Sequence, residues 1–296
     1  MFANIFGNYL LEKNVIETQQ YESIKATQAK TRVKLGLIAV AEKLMTQKEA
    51  DAVNMKQLTM DRRFGDIAVE MGYLTKEQVK HLLGMQGNPY IQFVQAVTDL
   101  GYMTIEDVER ELLAYQKEKG FTSMDMDAVK SGDIDRVMPL LLPEDMPWTV
   151  AEHVAVMMRT LNRLACDDIS ILKPKYIDIY VAVAYAMQSM YGDFEAGVAI
   201  SGSKEGMLAI ASGFAKEKFE SLDYEAMDSI GEYINIGNGL FATSISHEGT
   251  NISLCPPDMS EEGGCLKSER MCLIPLKVEG YLVDFIISPG VKITVE

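Results

Sequence analysis

Large apolar residues recur every 29 positions over residues 1–117 of the chain. One begins each of four successive repeats: Phe6, Leu35, Phe64 and Phe93. A glycine follows it in the first three repeats: Gly7, Gly36 and Gly65. A glutamine closes the same three repeats: Gln28, Gln57 and Gln86. A repeat of this length cannot bury its apolar face alone, so the pattern predicts that the four repeats pack together.

Each repeat is predicted to form two short helices, most clearly in the third. Gly72 follows an apolar segment of helical period and can end that helix in the left-handed conformation. Thr75 can then begin a second helix, because Gln78 stands where the partner of a capping box belongs. The sequence therefore predicts an all-α helical-repeat domain over residues 1–120.

The second half of the chain has a different pattern, in which long helices alternate with strands. Helices are predicted over 149–165 and 223–246, and the stretch that begins at Glu205 starts like a strand and turns helical. Strands are predicted at 177–184, 197–202, 251–255, 271–277 and 281–288. This order predicts an α+β domain over 148–296, with long helices packed on an antiparallel sheet.

Residues 121–147 are predicted to be a linker between the two domains. Prolines stand at positions 139, 143 and 147, and proline favours extended chain. One short helix is expected near 125–131. Pairs of aspartates in this segment do not follow the spacing of a calcium-binding EF-hand.

Charge separates the two halves further. Residues 1–120 hold 15 Lys+Arg and 16 Asp+Glu, a net of −1, whereas residues 121–296 hold 13 and 27, a net of −14. The acidic half would repel phosphates, so no nucleic-acid partner is expected. The four cysteines lack Cys-x-x-Cys pairing, and the three histidines, His81, His153 and His247, lie in separate segments. We therefore expect reduced thiols, histidines of the core or surface, and no metal site.

No apolar run of the sequence approaches the length of a transmembrane helix, and the first residues lack the pattern of a secretory signal. A cytoplasmic protein without membrane insertion is the expectation.

The predicted helix over 223–246 carries a row of polar residues. At 100° per residue, Asp228, Glu232 and Asn235 fall within about 60° of one another. The opposite face is apolar and consists of Met227, Ile230, Ile234 and Phe241. Gly237 belongs to the apolar face and allows close packing, whereas Gly239 leaves the polar row uncrowded. By pattern alone, the row is either an ordinary solvated helix face or a binding or catalytic surface.

The motif Asp-x-x-x-Glu-x-x-Asn followed by Ile-Gly-x-Gly resembles the signature helix of the CheC/CheX family of chemotaxis phosphatases. Pro257 lies 22 residues after Asn235, near where that family places a proline. The resemblance implies a CheX-like fold for residues 148–296. The two-motif members carry a second Glu-x-x-Asn, but here the nearest match is Arg159-Thr-Leu-Asn162. The resemblance is thus to the single-motif CheX branch, which implies a homodimer.

This family dephosphorylates the receiver domain of a response regulator. Carried over, Asn235 would orient a water for attack on the aspartyl phosphate, and Glu232 would contact a lysine of the regulator. Asp228 and Gly239 would support the site or the partner contact. Mg²⁺ would belong to the partner, so the resemblance implies no cofactor of the chain's own. An acyl phosphate is already activated, and an amide can orient a water without titrating.

The 29-residue pattern resembles the N-terminal domain of type II secretion and type IV pilus ATPases (MshE-type), some of which bind cyclic di-GMP through tandem motifs. Arg63-Phe64-Gly65 and Lys34-Leu35-Gly36 match the Arg-Leu-Gly motif start in part. The resemblance implies a cyclic di-GMP site at Lys34, Leu35, Gly36, Arg63, Phe64 and Gly65, with further cations at Lys30, Arg32 and Arg62. The alternative is a structural repeat that docks another protein. No Walker A motif occurs, so the chain is not the motor itself.

Three hypotheses follow for the whole chain. The first is a hydrolase, a CheX-type phosphatase of a phosphorylated receiver domain that the repeats localise or regulate. The second is a binding or adaptor protein of two-component or motility signalling that has lost turnover. In the third, the repeats are a cyclic di-GMP receptor that sets the activity of the other half.

Overall fold

The computed structural model describes residues 2–28, 33–57, 59, 62–247 and 249–296. The chain forms two compact units, Met1–Gly132 and Asp133–Glu296, which we call the N-terminal and C-terminal units. Among the described residues, no helix has the length and apolar character needed to span a bilayer.

The N-terminal unit consists of short helices. Their bounds are α1 (Phe2–Glu12), α2 (Thr18–Gln28), α3 (Leu35–Ala41), α4 (Gln47–Gln57), α5 (Phe64–Glu70), α6 (Lys76–Gly84), α7 (Pro89–Asp99), α8 (Ile105–Lys119) and α9 (Ser123–Ser131). Helices α1 to α8 fall two to each 29-residue repeat. The predicted left-handed turn is present at Gly72, where φ is 75°, and the capping box of Thr75 and Gln78 begins α6.

The glycines of the repeats lie where neighbouring side chains approach the helix backbone. A Cβ at Gly7 would lie 2.3 Å from the ring of Tyr21, and one at Gly65 would lie 2.7 Å from Val79. At Gly36 the nearest atoms belong to the ring of Phe64, at 2.9 Å. These distances are shorter than carbon–carbon van der Waals contact, so the recurrent glycine lets the helices of the repeats pack closely.

The four repeats pair in a nested order. Helices α1 and α2 of the first repeat pack against α7 of the fourth, and α3 and α4 of the second pack against α5 and α6 of the third. The ring centroids of Phe6 and Phe93 lie 5.8 Å apart in the outer pair. The closing glutamines act between repeats: Gln28 Nε2 donates to the Pro89 carbonyl at 3.3 Å, and Gln86 Nε2 donates to the Val33 carbonyl at 2.9 Å.

The segment 121–147 is not the extended linker that the prolines predict. It contains α9, which matches the expected short helix, and a second helix α10 (Ile134–Leu141), and the two compact units divide between them. Asp133 caps α10, whose apolar residues Ile134, Val137 and Met138 are buried. Pro139 lies inside this helix. It removes one helical hydrogen bond, and burial of the apolar side offsets that loss.

The C-terminal unit combines long helices with an antiparallel sheet, as predicted. Its elements after α10 are α11 (Trp148–Leu164), β1 (Ile169–Ile171), β2 (Lys175–Ala182), β3 (Tyr185–Gly192), β4 (Ala196–Gly202), α12 (Lys204–Ala215), α13 (Tyr224–Ser246), β5 (Ile252–Leu254), β6 (Asp258–Ser260), β7 (Gly264–Val278), β8 (Tyr281–Pro289) and β9 (Thr294–Val295). The strand order is β1-β7-β8-β4-β3-β5, with β2 and β9 paired to β7 and β6 to β3.

Several elements of this unit differ from the expectation, among them the short strands β1, β6 and β9, which were not predicted. The stretch from Glu205 is helical throughout, because Ser203 caps α12 through the Gly206 amide at 3.1 Å. Strand β3 was not predicted. It pairs with β4 and with the short strands β5 and β6, and it packs against α13. This central position brings one face of β3 to the polar row of α13.

Candidate functional site

Helix α13 is held by its buried face. Asp223 caps its first turn by accepting a hydrogen bond from the Ala226 amide at 3.1 Å. The apolar residues predicted to form one face are fully buried: Met227, Ile230, Ile234 and Phe241. Gly237 lies against α11, since a Cβ there would be 2.4 Å from the sulfur of Met157. The helix is therefore fixed in rotation about its axis, and so is its opposite face.

The polar row of α13 has the exposure that its pattern predicts. Glu232 is exposed, and Asp228, Asn235 and Gly239 are half-buried. A Cβ at Gly239 would meet its nearest neighbour only at 4.0 Å, so this position leaves space beside the row. Two apolar side chains of the same helix, Ile236 and Leu240, are exposed next to it. We call the surface formed by these six residues the α13 face.

The loop between β5 and β6, together with β6 itself, lies against α13 beside the polar row. A Cβ at Gly231 would lie 3.4 Å from Pro257 and 3.2 Å from Met259. The proline that the family resemblance singles out therefore lies beside α13, at the level of Glu232. It limits how far the helix can move relative to the sheet.

Asn235 is the outer end of a chain of hydrogen bonds that runs into the core. Its Oδ1 accepts from Gln188 Nε2 of β3 at 2.8 Å, and the same nitrogen donates to the Cys255 carbonyl at 2.8 Å. Gln188 Oε1 accepts from Asn238 Nδ2 at 2.8 Å. Asn238 Oδ1 in turn lies 2.7 Å from His153 Nε2 of α11. We call these four side chains the amide chain.

The inner end of the amide chain is buried away from solvent. Gln188 is 1% exposed, and Asn238 and His153 are fully buried. The imidazole of His153 stacks on Phe241 at 4.2 Å between ring centroids. Burial lowers the pKa of His153 to about 4, against the opposing hydrogen bond with Asn238. The ring is therefore neutral at neutral pH, and its Nδ1 atom is buried without a partner among the described residues.

Sequence reasoning did not identify Gln188 or Asn238 and placed His153 only among core or surface residues. Asn238 lies one helical turn after Asn235, which is the single local signal. Gln188 lies 47 positions before Asn235 on a strand that was not predicted.

The partial second motif does not form a site of the same kind. Arg159 is ion-paired with Asp135 of α10. Asn162 Nδ2 donates to the Cys166 and Asp167 carbonyls, each at 3.1 Å. These bonds satisfy backbone groups just after the end of α11, so Asn162 is engaged in the local structure of the chain.

In the N-terminal unit, a cavity of about 890 Å³ includes four of the six residues named for cyclic di-GMP: Lys34, Leu35, Gly36 and Phe64. Arg63 and Gly65 are not among its lining residues. Lys34 is ion-paired with Asp99 at 2.9 Å, and Asp99, Glu106 and Asp107 also line the cavity. Arg62 is ion-paired with Glu70, and Lys30 and Arg32 lie outside the described residues. The charge of the described lining is therefore acidic.

Within the described ranges, no group of three or more His, Cys, Asp or Glu is arranged to hold a metal ion.

Comparison with known proteins concerns the C-terminal half. Residues 184–276 match the family model described as chemotaxis phosphatase CheX. No curated protein sequence matches the chain. This matched segment contains β3 and α13, and thus Gln188, Glu232, Asn235 and Asn238.

Several solved structures are similar to the same half. Chemotaxis protein CheX from Vibrio vulnificus shares 19% identity over 49% of this chain and 100% of its own, with a TM-score of 0.43. A chemotaxis protein CheX from Desulfovibrio desulfuricans shares 14% over 48% and 99%, with a TM-score of 0.42. A CheX-CheY-BeF3-Mg²⁺ complex from Borrelia burgdorferi shares 18% over 48% and 97%, with a TM-score of 0.39. By the family model, residues 184–276 of the C-terminal half are similar to a CheX chemotaxis phosphatase domain, and this segment carries the polar row.

Proposed function

We propose that the C-terminal unit accelerates hydrolysis of the aspartyl phosphate on a response-regulator receiver domain. The observation that carries the proposal is the geometry of Glu232 and Asn235. Both lie on one side of a helix whose rotation is fixed, the carboxylate exposed and the amide held at its inner edge. They lie in the segment that matches the chemotaxis phosphatase family.

The reaction requires little from the protein beyond positioning of the attacking water. The oxygen of a water attacks phosphorus, the bond between phosphorus and the aspartyl oxygen breaks, and the proton of the water passes to the phosphate. The products are inorganic phosphate and a free aspartate of the regulator. In this proposal Asn235 orients the water for in-line attack, and Mg²⁺ on the receiver domain balances the charge of the phosphoryl group.

The α13 face suits a partner with a cation and a small apolar surface. Asp228 and Glu232 give it negative charge, and Ile236 and Leu240 are 37% and 41% exposed. Opposite charges steer association and fix orientation. Glu232 would contact a lysine of the receiver domain, which positions Asn235 at the phosphorylated aspartate.

The test is decay of a receiver domain that carries labelled phosphate on its aspartate, with and without the full chain. Receiver domains encoded beside the gene are the first substrates. Faster decay that is lost in Glu232→Ala and Asn235→Ala supports the proposal. Asn162→Ala is the matched control, because it removes an asparagine of the partial motif on α11, and it should leave the decay rate unchanged. Binding without faster decay would instead support the adaptor hypothesis.

A homodimer is the second part of the proposal. Strand β2 pairs only with β7 among the described residues, and Ile179 and Val181 are 57% and 77% exposed on it. Val183, just after this strand, is 70% exposed. An apolar strand edge is a surface on which a second copy can pair.

The cyclic di-GMP prediction concerns the N-terminal cavity. Its volume is within the usual range for a small-molecule site, which supports a ligand. Its acidic lining and the ion pair of Lys34 with Asp99 weigh against a ligand with two phosphates. Titration calorimetry of cyclic di-GMP into the full chain tests the prediction. Heat that disappears in Lys34→Ala supports it, and no heat leaves the repeats as a structural or protein-docking domain.

A further inference from the structure

The amide chain has a direction that one backbone group determines. A carbonyl oxygen can only accept a hydrogen bond, so the atom of Gln188 that lies 2.8 Å from the Cys255 carbonyl is its NH2 group. The same nitrogen faces Asn235, which must therefore turn its own oxygen inward.

The remaining members of the chain follow from the same constraint. Because the NH2 group of Gln188 faces outward, its oxygen faces Asn238, which presents its own NH2 group. The oxygen of Asn238 then faces His153, so the imidazole carries its proton on Nε2. The unpartnered Nδ1 of this neutral ring is a bare acceptor rather than a buried donor. All hydrogen bonds of the amide chain are satisfied by this one arrangement.

We propose that Gln188 is a positioning residue that holds Asn235 with its NH2 group toward the α13 face, ready to donate to the attacking water. This inference rests on the proposed phosphatase function. Asn235 Nδ2 has no hydrogen-bond partner within the described part of the chain, and Asn235 is half-buried at the edge of that face. A donated hydrogen bond occupies one lone pair of the water and leaves the other directed at phosphorus.

Gln188 can determine the orientation of the Asn235 amide because Gln188 is buried. A solvated amide exchanges its two orientations freely, because water can serve as donor or acceptor on either side. Gln188 is 1% exposed, so water does not replace the bond on the inner side of Asn235. The orientation of the outer amide is therefore set from the sheet, by a residue that does not touch the substrate.

The kinetic test compares two substitutions at Gln188. Gln188→Glu keeps the shape, and at a pH high enough to ionise the buried carboxylate it only accepts, so Asn235 turns its NH2 group inward and presents oxygen to the water. A hydrogen bond to a charged group favours that inverted orientation by roughly 10- to 100-fold, and kcat should fall by this factor while KM is unchanged. Gln188→Met offers Asn235 neither a strong donor nor a strong acceptor, so neither orientation of the Asn235 amide is favoured. The productive orientation is then populated about half the time, and kcat falls about twofold.

The control is Thr160→Val on α11. The hydroxyl of Thr160 is buried and donates to the Val156 carbonyl at 2.8 Å, so this variant loses a buried hydrogen bond of the same unit without touching the amide chain. Its stability should fall while kcat stays at the wild-type value. If Gln188 had only a structural role, the loss of kcat would be proportional to the loss of stability in Gln188→Glu, Gln188→Met and Thr160→Val alike.

Hydrogen exchange of side-chain amides, measured by NMR on the full chain with labelled Asn and Gln, tests the orientation without any substrate. The NH2 protons of Asn235 should exchange rapidly in the wild type and become protected in Gln188→Glu. Unchanged exchange, or a folded Gln188→Glu with wild-type kcat at a pH that ionises the carboxylate, overturns the inference. So does a loss in Gln188→Met as large as that in Gln188→Glu. If the wild type accelerates no receiver, the phosphatase proposal fails, and the exchange result still decides whether Gln188 orients Asn235.

Discussion

Replacing His153 by glutamine should remove a pH-dependent loss of stability from the C-terminal unit. His153 is fully buried between Phe241 and Asn238, and burial lowers its pKa to about 4. In the unfolded chain a histidine titrates at about 6.5. Glutamine carries an NH2 group that can donate to Asn238 Oδ1 and has no proton to gain in this range.

The size of the effect follows from the two pKa values. Between about pH 6.5 and pH 4 the unfolded chain binds a proton at His153 and the folded chain does not. The free energy of unfolding therefore decreases by about 1.4 kcal/mol for each unit by which the pH falls in this window. From pH 7 to pH 5 the contribution of His153 is a loss of about 2 kcal/mol, which His153→Gln should lack.

Urea unfolding at several pH values measures this difference. Trp148 is the one tryptophan of the sequence and begins α11, the helix of His153, so its fluorescence reports on the C-terminal unit. His247→Gln, at an exposed histidine after α13, is the control and should keep the wild-type pH dependence. An identical pH dependence in His153→Gln and the wild type would refute a neutral, buried imidazole at this position.

Three further outcomes are expected. Gly7→Ala should lower the free energy of unfolding of the N-terminal unit by about 1–3 kcal/mol, because a Cβ would lie 2.3 Å from the buried ring of Tyr21. Denaturant titration measures this change, and an unchanged midpoint of unfolding would contradict it. Val181→Lys should yield a monomer where light scattering shows a wild-type dimer, since a charge on a strand edge opposes pairing. Asn235→Asp should lose roughly 100-fold in receiver dephosphorylation, because a carboxylate accepts from Gln188 but cannot donate to water. Retained activity would show that the water is held by an acceptor.

Local patterns predicted the parts of the fold that local interactions determine. The apolar face of α13 and the close packing of Gly237 follow from helical periodicity alone. The left-handed turn at Gly72 and the cap at Thr75 are properties of a few consecutive residues. The polar row was likewise visible, because a helix places Asp228 and Asn235 on one side wherever it packs.

The features that were missed depend on contacts distant in sequence. Strand β3, Tyr185–Gly192, lacks β-branched side chains, and among its residues only the two tyrosines favour a strand, so its propensity gives a weak strand signal. Its partners β4 and α13 stabilise it instead. The amide chain joins His153, Gln188 and Asn238 from three elements, and nothing near any of them in sequence indicates the other two. Prolines in 121–147 suggested extended chain, but burial of the apolar side of α10 outweighs the bond lost at Pro139.

The nested pairing of the repeats has a consequence for the order in which they can form. The second and third repeats are neighbours in sequence, so their pair closes only a short loop and is complete once α6 has been synthesised. The first repeat finds its partner only when α7 exists, and α7 begins 61 residues after the end of α2. Contacts of such large sequence separation form slowly, so the first repeat should remain unpartnered during synthesis while the inner pair is already folded. An array of this kind also differs from an open solenoid in how it can be extended. A single added repeat would have no repeat to pack against, so repeats have to be added in pairs.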